Sequence, residues 1–131
     1  MTTSNSNFCP CGSNQNYTEC CQPFHVGADL PVTAEALMRS RYSAYVFKNS
    51  DYLLMTWHKN TRPKQLDFSQ DNTTWNKLEI LNCKKGGAKD DKGRVEFNAF
   101  YVQDNEIRLM HEISRFKKIA GRWFYVDGVL D

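Results

Sequence analysis

The residues RVEFNAFYVQDNEIRLMHEISRF, at positions 94–116, decide the fold class. Apolar and polar side chains alternate from Val95 to Tyr101, which is typical of a strand that buries one face. The dipeptide Asp104-Asn105 is typical of a tight turn, and a second strand is predicted over 106–117. We therefore predict an antiparallel hairpin in this stretch.

Two further strands extend this hairpin on either side. Residues 77–85 are rich in apolar side chains and end at the turn-forming sequence GGAKDDKG, while residues 122–129 follow a turn at Ala120-Gly121. Four strands joined in series by short turns predict an antiparallel meander.

Two helices are predicted upstream of the strands. Thr33 is a suitable N-cap for a helix over about 34–48, and Asn49 or Ser50 for a second helix over 51–57. Because the helices precede the meander, we predict an α+β fold with the helices packed on one face of the sheet.

The composition indicates one compact globular domain. Of the 131 residues, 40% are hydrophobic and 24% are charged. No apolar run approaches the roughly 20 residues needed to span a bilayer, and residues 1–7 lack the pattern of a secretory signal, so we predict a cytoplasmic protein with no membrane partner. Since 17 basic residues face 15 acidic ones, a surface for nucleic-acid binding is not expected.

Four of the five cysteines lie in CPCGSNQNYTECC, residues 9–21, which we call the knuckle. Disulfides between such close neighbours would be strained, although long-range pairs among the four, or free thiols, remain alternatives. Zinc takes four thiolates in a tetrahedron and orders segments too short to form a core. We therefore predict a structural zinc ion, which leaves no open position for catalysis. The predicted ligands are Cys9, Cys11, Cys20 and Cys21.

Residues 17–21 are predicted to form one helical turn that presents the last two cysteines of the knuckle.

The fifth cysteine, Cys83, stands alone in an apolar segment, so we expect it to be a small buried core residue.

The C-P-C-G-S…Y…C-C arrangement resembles the SEC-C zinc-binding motif, named for the carboxyl terminus of the translocation motor SecA. The resemblance implies that the four cysteines are zinc ligands. It also implies a protein partner, because the SecA module engages the chaperone SecB and the ribosome. Family members often carry lysines between the ligand pairs, whereas residues 14–19 of this chain contain none, which argues against phosphate binding by the knuckle.

Downstream segments resemble the middle domain of the YchJ-like family of bacterial proteins. They are TAEALMRSRYSAYVFKNSDYLLMTWHKNTRP (33–63), RVEFNAFY (94–101), MHEISRF (110–116) and GRWFYVDG (121–128). The resemblance implies a cone-shaped nuclear-transport-factor-2-like (cystatin-like) fold, in which a curved antiparallel sheet wraps around helices and leaves an internal pocket. It implies no biochemical activity. We predict that residues 1–31 form the knuckle and a linker, and residues 32–131 the cone.

Several polar residues occupy positions where the apolar pattern predicts burial. Arg41 falls within the apolar stripe of the first helix, and His111 and Arg115 share a strand face with isoleucine and leucine residues. Because a buried guanidinium needs a partner, we expect Arg41 or Arg115 to pair with an acid from the set Glu96, Glu112 and Asp127. The candidate pocket consists of Arg41, Trp57, His58, Glu96, His111 and Arg115.

Two interpretations of these polar residues remain open: an ion-pair network that closes the cone, or a pocket for an anionic or polar small ligand. The leading functional hypothesis is a zinc-binding adaptor that presents the knuckle to a protein partner, with a homodimer interface on the outer face of the sheet. The alternative is a small-molecule-binding protein or an enzyme of the isomerase, dehydratase or hydrolase class. RNA association through the basic turn 84–94 is a weaker third hypothesis.

Overall fold

The computed structural model describes residues 8–130; residues 1–7, on which the prediction about a secretory signal rests, and Asp131 lie outside it. The helices are α1 (Gln22–His25), α2 (Ala34–Val46) and α3 (Ser50–Met55), with a short 3₁₀ helix at Tyr17–Glu19, and the strands are β1 (Thr74–Lys85), β2 (Lys92–Gln103), β3 (Glu106–Ile119) and β4 (Arg122–Leu130). Within 8–130, no helix has the length and apolar character needed to cross a membrane.

The four strands form one antiparallel sheet in the order β1-β2-β3-β4, as the sequence predicts. Asp104 and Asn105 have φ values of 54° and 65°, and they join β2 to β3 in a two-residue turn across the pair Gln103 and Glu106. Left-handed backbone at both turn positions matches the twist of the strands, and Asn and Asp adopt it readily. This hairpin fixes the register of the sheet.

Helix α2 lies against one face of the sheet, which we call the inner face. The principal core contains Leu37 and Tyr42 of α2, Phe97 of β2, Phe116 of β3 and Trp123 of β4. All five are at most 3% exposed. The structure therefore confirms the α+β architecture with the helices on one face.

The helix caps follow the sequence. Thr33 Oγ1 accepts a hydrogen bond from the Ala36 amide at 3.0 Å, and Asn49 Oδ1 accepts one from the Tyr52 amide at 3.1 Å. Helix α2 ends two residues before the predicted Lys48, because Lys48 takes a left-handed φ of 57°.

Helix α3 also ends before its predicted limit. Trp57 leaves the helix to form an isolated bridge with Tyr125 of β4. The His58 amide donates to the Tyr125 carbonyl at 2.7 Å, and the Tyr125 amide donates to the Thr56 carbonyl at 2.8 Å. The segment after α3 therefore covers the free edge of β4.

The predicted linker over 22–32 is not wholly irregular. Its first four residues form α1, which tolerates Pro23 because the amide that proline lacks would have no partner in the first turn of a helix. The division of the chain at residues 31 and 32 stays a prediction.

The inner face of β3 was wrongly assigned from the sequence. Ile107 is 72% exposed and Leu109 is 54% exposed, whereas Ser114 and Phe116 are buried. Because side chains alternate along a strand, the set that contains Ile107 and Leu109 lies on the outer face, away from α2. The homodimer interface predicted on this outer face stays a prediction.

Cys83 was also wrongly assigned to the core. It is exposed, and its Sγ lies 3.6 Å from Glu35 Oε1. The reason is its position: β1 is an edge strand, and its residues from Leu81 to Lys85 are all exposed.

Candidate functional site

Four cysteine side chains meet in the knuckle. The Sγ atoms of Cys9, Cys11, Cys20 and Cys21 all lie within 4.8 Å of one another, with 3.6 Å between Cys11 and Cys20 and 3.9 Å between Cys20 and Cys21. Four sulfurs at about 2.3 Å from a tetrahedral zinc ion would lie about 3.8 Å apart, whereas a disulfide requires about 2.0 Å. The residues present therefore fit a metal ion better than a disulfide.

The turns of the knuckle aim the sulfurs at one point. The Cys9 amide donates to the Gln15 carbonyl at 2.7 Å, and Gly12 takes the left-handed φ of 86° that lets the chain reverse between the ligand pairs. The 3₁₀ helix Tyr17–Glu19 then carries the chain to the second ligand pair, and Ser13 Oγ lies 3.1 Å from Cys20 Sγ.

Hydrogen bonds within the cluster shift the pKa values of its thiols in opposite directions. Hydrogen bonding from Cys21 and then Cys9 lowers the pKa of the Cys11 thiol, whereas hydrogen bonding with Cys11 raises the pKa of the Cys9 and Cys21 thiols. Metal binding requires thiolates and releases their protons.

The knuckle is fastened to α2 by two side chains that the sequence analysis did not single out. Arg39 Nη1 donates to the Cys11 carbonyl at 2.7 Å. His25 Nε2 lies 2.8 Å from the Ser40 carbonyl, which only accepts, so Nε2 carries the proton and Nδ1 accepts from the Tyr17 hydroxyl at 2.6 Å. Residues 28 and 15 positions apart make these contacts, and no local sequence pattern signals them.

A cavity of about 200 Å³ lies between α2 and the inner face of the sheet. We call it the cone cavity. Aromatic side chains, among them Tyr42, Tyr45 and Tyr125, form much of its wall. Its charged and hydroxyl-bearing lining residues besides the tyrosines are Arg41, Glu112 and Ser114.

Arg41 is the buried cation of the cone cavity. It is 3% exposed and lies over the adjoining rings of Trp57 and Tyr125, 4.9 and 4.5 Å from their centroids. Its Nη1 donates to the Leu53 carbonyl at 2.8 Å and to Thr56 Oγ1 at 2.7 Å. Across residues 8–130, no carboxylate oxygen lies within 4.0 Å of the guanidinium. Loss of water around the buried guanidinium lowers the pKa of Arg41, and the charge of Glu112 acts in the opposite direction.

Glu112 supplies the opposite charge of the cone cavity. Its Oε2 accepts a hydrogen bond from Ser114 Oγ. The carboxylate lies over Gly128 of β4, where the Cβ of any other residue would overlap it. Any larger residue at position 128 would require the Glu112 side chain to shift. The sequence analysis named Glu112 only as a partner for arginine.

Two buried polar atoms near the cavity have no hydrogen-bond partner among the described residues: the Tyr42 hydroxyl and Trp57 Nε1. Burial also raises the pKa of Tyr42 to about 12, so its hydroxyl keeps its proton. Buried polar groups usually have partners, and a ligand in the cavity would offer one to Tyr42, which lines it.

The structure separates the six residues predicted to share a pocket. Arg41 lines the cone cavity and Trp57 packs on it. Glu96 and His111 pair at 2.7 Å on the outer face. His58 and Arg115 line a different groove, and Arg115 binds Asp127 through two hydrogen bonds of 2.6 Å.

The prediction of one common pocket is therefore corrected. It failed because His111 and Arg115 belong to the outward set of β3, while Glu112 of the inward set enters the cavity. The expectation that Arg41 or Arg115 finds an acid holds for Arg115.

Comparisons with known proteins agree with this geometry. The family described as "YchJ, middle NTF2-like domain" matches residues 33–128, and the SEC-C motif matches residues 9–23. A UPF0225 protein of Streptomyces coelicolor is 46% identical over 120 residues, covering 92% of this chain and 93% of that protein. A UPF0225 protein of Photorhabdus laumondii is 41% identical over 127 residues, covering 92% and 79%.

Two solved structures share the fold. The solution structure of a SEC-C motif containing protein from Rhodopseudomonas palustris has a TM-score of 0.82 at 32% identity and covers 92% of this chain and 96% of that one. The crystal structure of a SEC-C motif containing protein from Psychrobacter arcticus has a TM-score of 0.77 at 28% identity, with coverages of 94% and 82%.

The fold and the cysteine cluster define a nuclear-transport-factor-2-like domain joined to a SEC-C motif, which is a metal-binding motif. The matches extend over most of the chain and over most of each relative. The chain belongs to the YchJ-like family, whose curated members are named UPF0225 proteins.

Proposed function

We propose that this protein binds a small molecule in the cone cavity through an anionic group, and that the knuckle is a structural zinc module that supports the cone. The observation that carries the proposal is Arg41, a buried guanidinium beside a cavity with no carboxylate within 4.0 Å in residues 8–130. A buried charge without a counter-ion is unfavourable. An anion in the cavity would compensate it.

The lining also indicates the rest of the ligand. Glu112 faces the same cavity as Arg41, so a ligand with a hydrogen-bond donor or a cation opposite its anionic group would satisfy both ends. Aromatic walls suit an apolar or flat body. A volume of about 200 Å³ exceeds the roughly 150 Å³ of an engineered cavity that holds benzene. The chemistry therefore favours a small zwitterion or a small carboxylate with a donor group.

An enzymatic role would place different demands on the same cavity. The isomerase, dehydratase or hydrolase class needs a base within reach of the substrate. Glu112 is the carboxylate available for it, since His111 lies on the outer face.

The test uses Arg41→Met, which removes the charge and keeps the approximate volume. The substitution also removes the hydrogen bonds to the Leu53 carbonyl and Thr56 Oγ1, and a buried acceptor left without its donor costs about 1–3 kcal/mol. We expect the free protein to be less stable by about that amount but still folded, and to lose the thermal shift that a panel of amino acids and small carboxylates produces in the parent. Arg108→Met, at an exposed arginine of β3 that pairs with Glu106 and lines neither cavity, is the matched control and should keep the shift.

Two outcomes would contradict the cavity proposal. In the first, no compound of the panel shifts the unfolding temperature of either the parent or the control. In the second, Arg41→Met keeps the full thermal shift of the parent, which would show that Arg41 does not bind the ligand.

The metal proposal is that the knuckle holds one zinc ion through Cys9, Cys11, Cys20 and Cys21. The spacing of the sulfurs supports it, and the free thiols suit a reducing, cytoplasmic location. Native mass spectrometry with elemental analysis should find one zinc per chain. A different metal, or none, would contradict it.

A second candidate function is the adaptor role. Apolar side chains surround the knuckle: Phe8 is 40% exposed, Phe47 is 50% exposed and Val26 is 69% exposed, and the ring of Phe47 lies 4.9 Å from that of Tyr17. A protein partner would bury them. The test is a pull-down in which Phe47→Ser loses a partner that Met55→Ser, 44% exposed on α3, retains. Equal recovery by both variants would reject this surface.

A further inference from the structure

A second concavity, of about 500 Å³, crosses the ends of β1, β2 and β3. Six basic side chains line it, and we call it the basic groove. We propose that the basic groove binds a short phosphate chain, such as that of a nucleotide or of inorganic polyphosphate. Its basic residues are Lys84, Lys85, Lys92, Arg94, Arg115 and Lys117.

The strand register places these cations directly opposite one another. Arg94 of β2 pairs with Lys84 of β1 on one side and with Arg115 of β3 on the other. The neighbouring pair, Lys92 and Lys117, repeats the pattern. Like charges directly opposite on adjacent strands are destabilising. Asp127 lies opposite Arg115 on β4 and neutralises it, so the unfavourable contact in this row is between Lys84 and Arg94, on strands about 4.8 Å apart. An anion bound across these two cations would relieve it.

The acids of the region leave this charge largely uncompensated. Asp127 binds Arg115, but among residues 8–130 no ion pair reaches the other five cations. The carboxylate of Asp90, in the turn between β1 and β2, accepts a hydrogen bond from the Gly87 amide at 2.9 Å. No carboxylate belongs to the lining of the groove in the described part of the chain.

Neutral donors complete the groove on the side opposite β1. His58 Nδ1 accepts from the Asn60 amide at 3.0 Å, so the neutral ring carries its proton on Nε2 and offers a donor. Asn60 lies beside it, whereas the Thr61 hydroxyl already donates to the Val126 carbonyl at 2.6 Å. Cations and N–H donors without acids are the chemistry that phosphate oxygens require.

The groove suits a short chain better than a nucleic acid. The aromatic rings in its lining, Phe116 and His58, are 2% and 8% exposed and offer no open face on which a base could stack. The chain as a whole has a formal charge of only +2, which is low for a nucleic-acid-binding protein. The groove and the cone cavity share no lining residue, so the two proposals stand independently.

The experiment is calorimetric titration of tripolyphosphate into the full chain at low salt. We expect saturable binding that weakens as salt rises. Lys84→Gln combined with Arg94→Gln should weaken it at least tenfold. The control pair, Lys77→Gln with Lys64→Gln, removes the same charge outside the groove and should change affinity by less than twofold. Lys77 lies on β1 as Lys84 does.

Further arms separate the sources of the phosphate and the competing explanations. ATP that binds more tightly than tripolyphosphate supports a nucleotide, and the reverse order supports inorganic polyphosphate. Citrate that binds as well as tripolyphosphate, an RNA oligomer that binds far more tightly than either phosphate, or equal losses in the two variant pairs would overturn the proposal. Thermal unfolding without phosphate checks the fold, and the Lys84 and Arg94 double variant should be at least as stable as the parent.

Discussion

The knuckle and the cone cavity are built in opposite ways. All four cysteines of the knuckle lie within thirteen residues, and their spacing alone predicted that they meet. The cone cavity takes Arg41 from α2, Glu112 from β3 and Tyr125 from β4. A site formed by residues close together in the sequence can be predicted from their spacing. A site assembled from several strands depends on the pairing register of those strands, which the sequence does not show.

The two regions also treat charge differently. The knuckle has Arg39 beside Cys11, so the negative charge of metal-bound thiolates would have a cation nearby. The cone cavity holds Arg41 and Glu112 apart, with no ion pair between them. The first arrangement suits a permanently bound ion, and the second suits an exchangeable ligand.

The largest expected effect is that of metal removal. With metal a thousandfold above its Kd, binding contributes about 4 kcal/mol to stability, and a chelator should remove that amount from the unfolding free energy. Chemical denaturation with and without chelator measures it. Cys11→Ser should behave like the chelated protein, and Cys83→Ser, at an exposed thiol outside the cluster, like the parent. Equal effects of the two variants would contradict a metal centre in the knuckle.

The second prediction tests whether the cone can be weakened without loss of the metal. Phe116 is 2% exposed in the core beneath α2. Phe116→Ala should lower the unfolding free energy by about 3–4 kcal/mol, as other large-to-small core substitutions do. The metal content per chain should not change, because the knuckle forms its own buried cluster. Loss of metal in this variant would mean that the two regions do not form separately.

These regions also show how much the sequence could predict. The turn at Asp104-Asn105, the cap at Thr33 and the cysteine cluster were predicted correctly as local features, because each depends on the conformation of a few adjacent residues. The metal ligands themselves stay a prediction. The prediction assigned the wrong face of β3 to the core. The inner face carries Glu112 and Ser114, which line the cavity, and these polar residues made the inner face resemble a solvent-exposed one in the sequence.

The third prediction concerns the room that Gly128 leaves for Glu112. Gly128→Ala places a Cβ against the Glu112 carboxylate, and overpacking of this kind costs about 1–3 kcal/mol. The double variant with Glu112→Ala should recover part of that loss, because the overlap is gone. Unfolding free energies of the four proteins form a double-mutant cycle. Additive effects would show that the carboxylate does not occupy this position.

The smallest expected effect is a change in the pH dependence of the unfolding free energy, caused by His25, which links the knuckle to α2. Burial lowers the pKa of His25 below that of the unfolded chain, about 6.5. The unfolded state therefore binds the proton first, and the stability that neutral His25 provides is lost as the pH falls below about 6.5. Protonation would also remove the Nδ1 acceptor of the Tyr17 hydroxyl. His25→Gln should flatten the loss of stability between pH 7.5 and 5.5 in metal-saturated protein. An unchanged slope would mean that the fastening of the knuckle to α2 does not depend on the neutral ring.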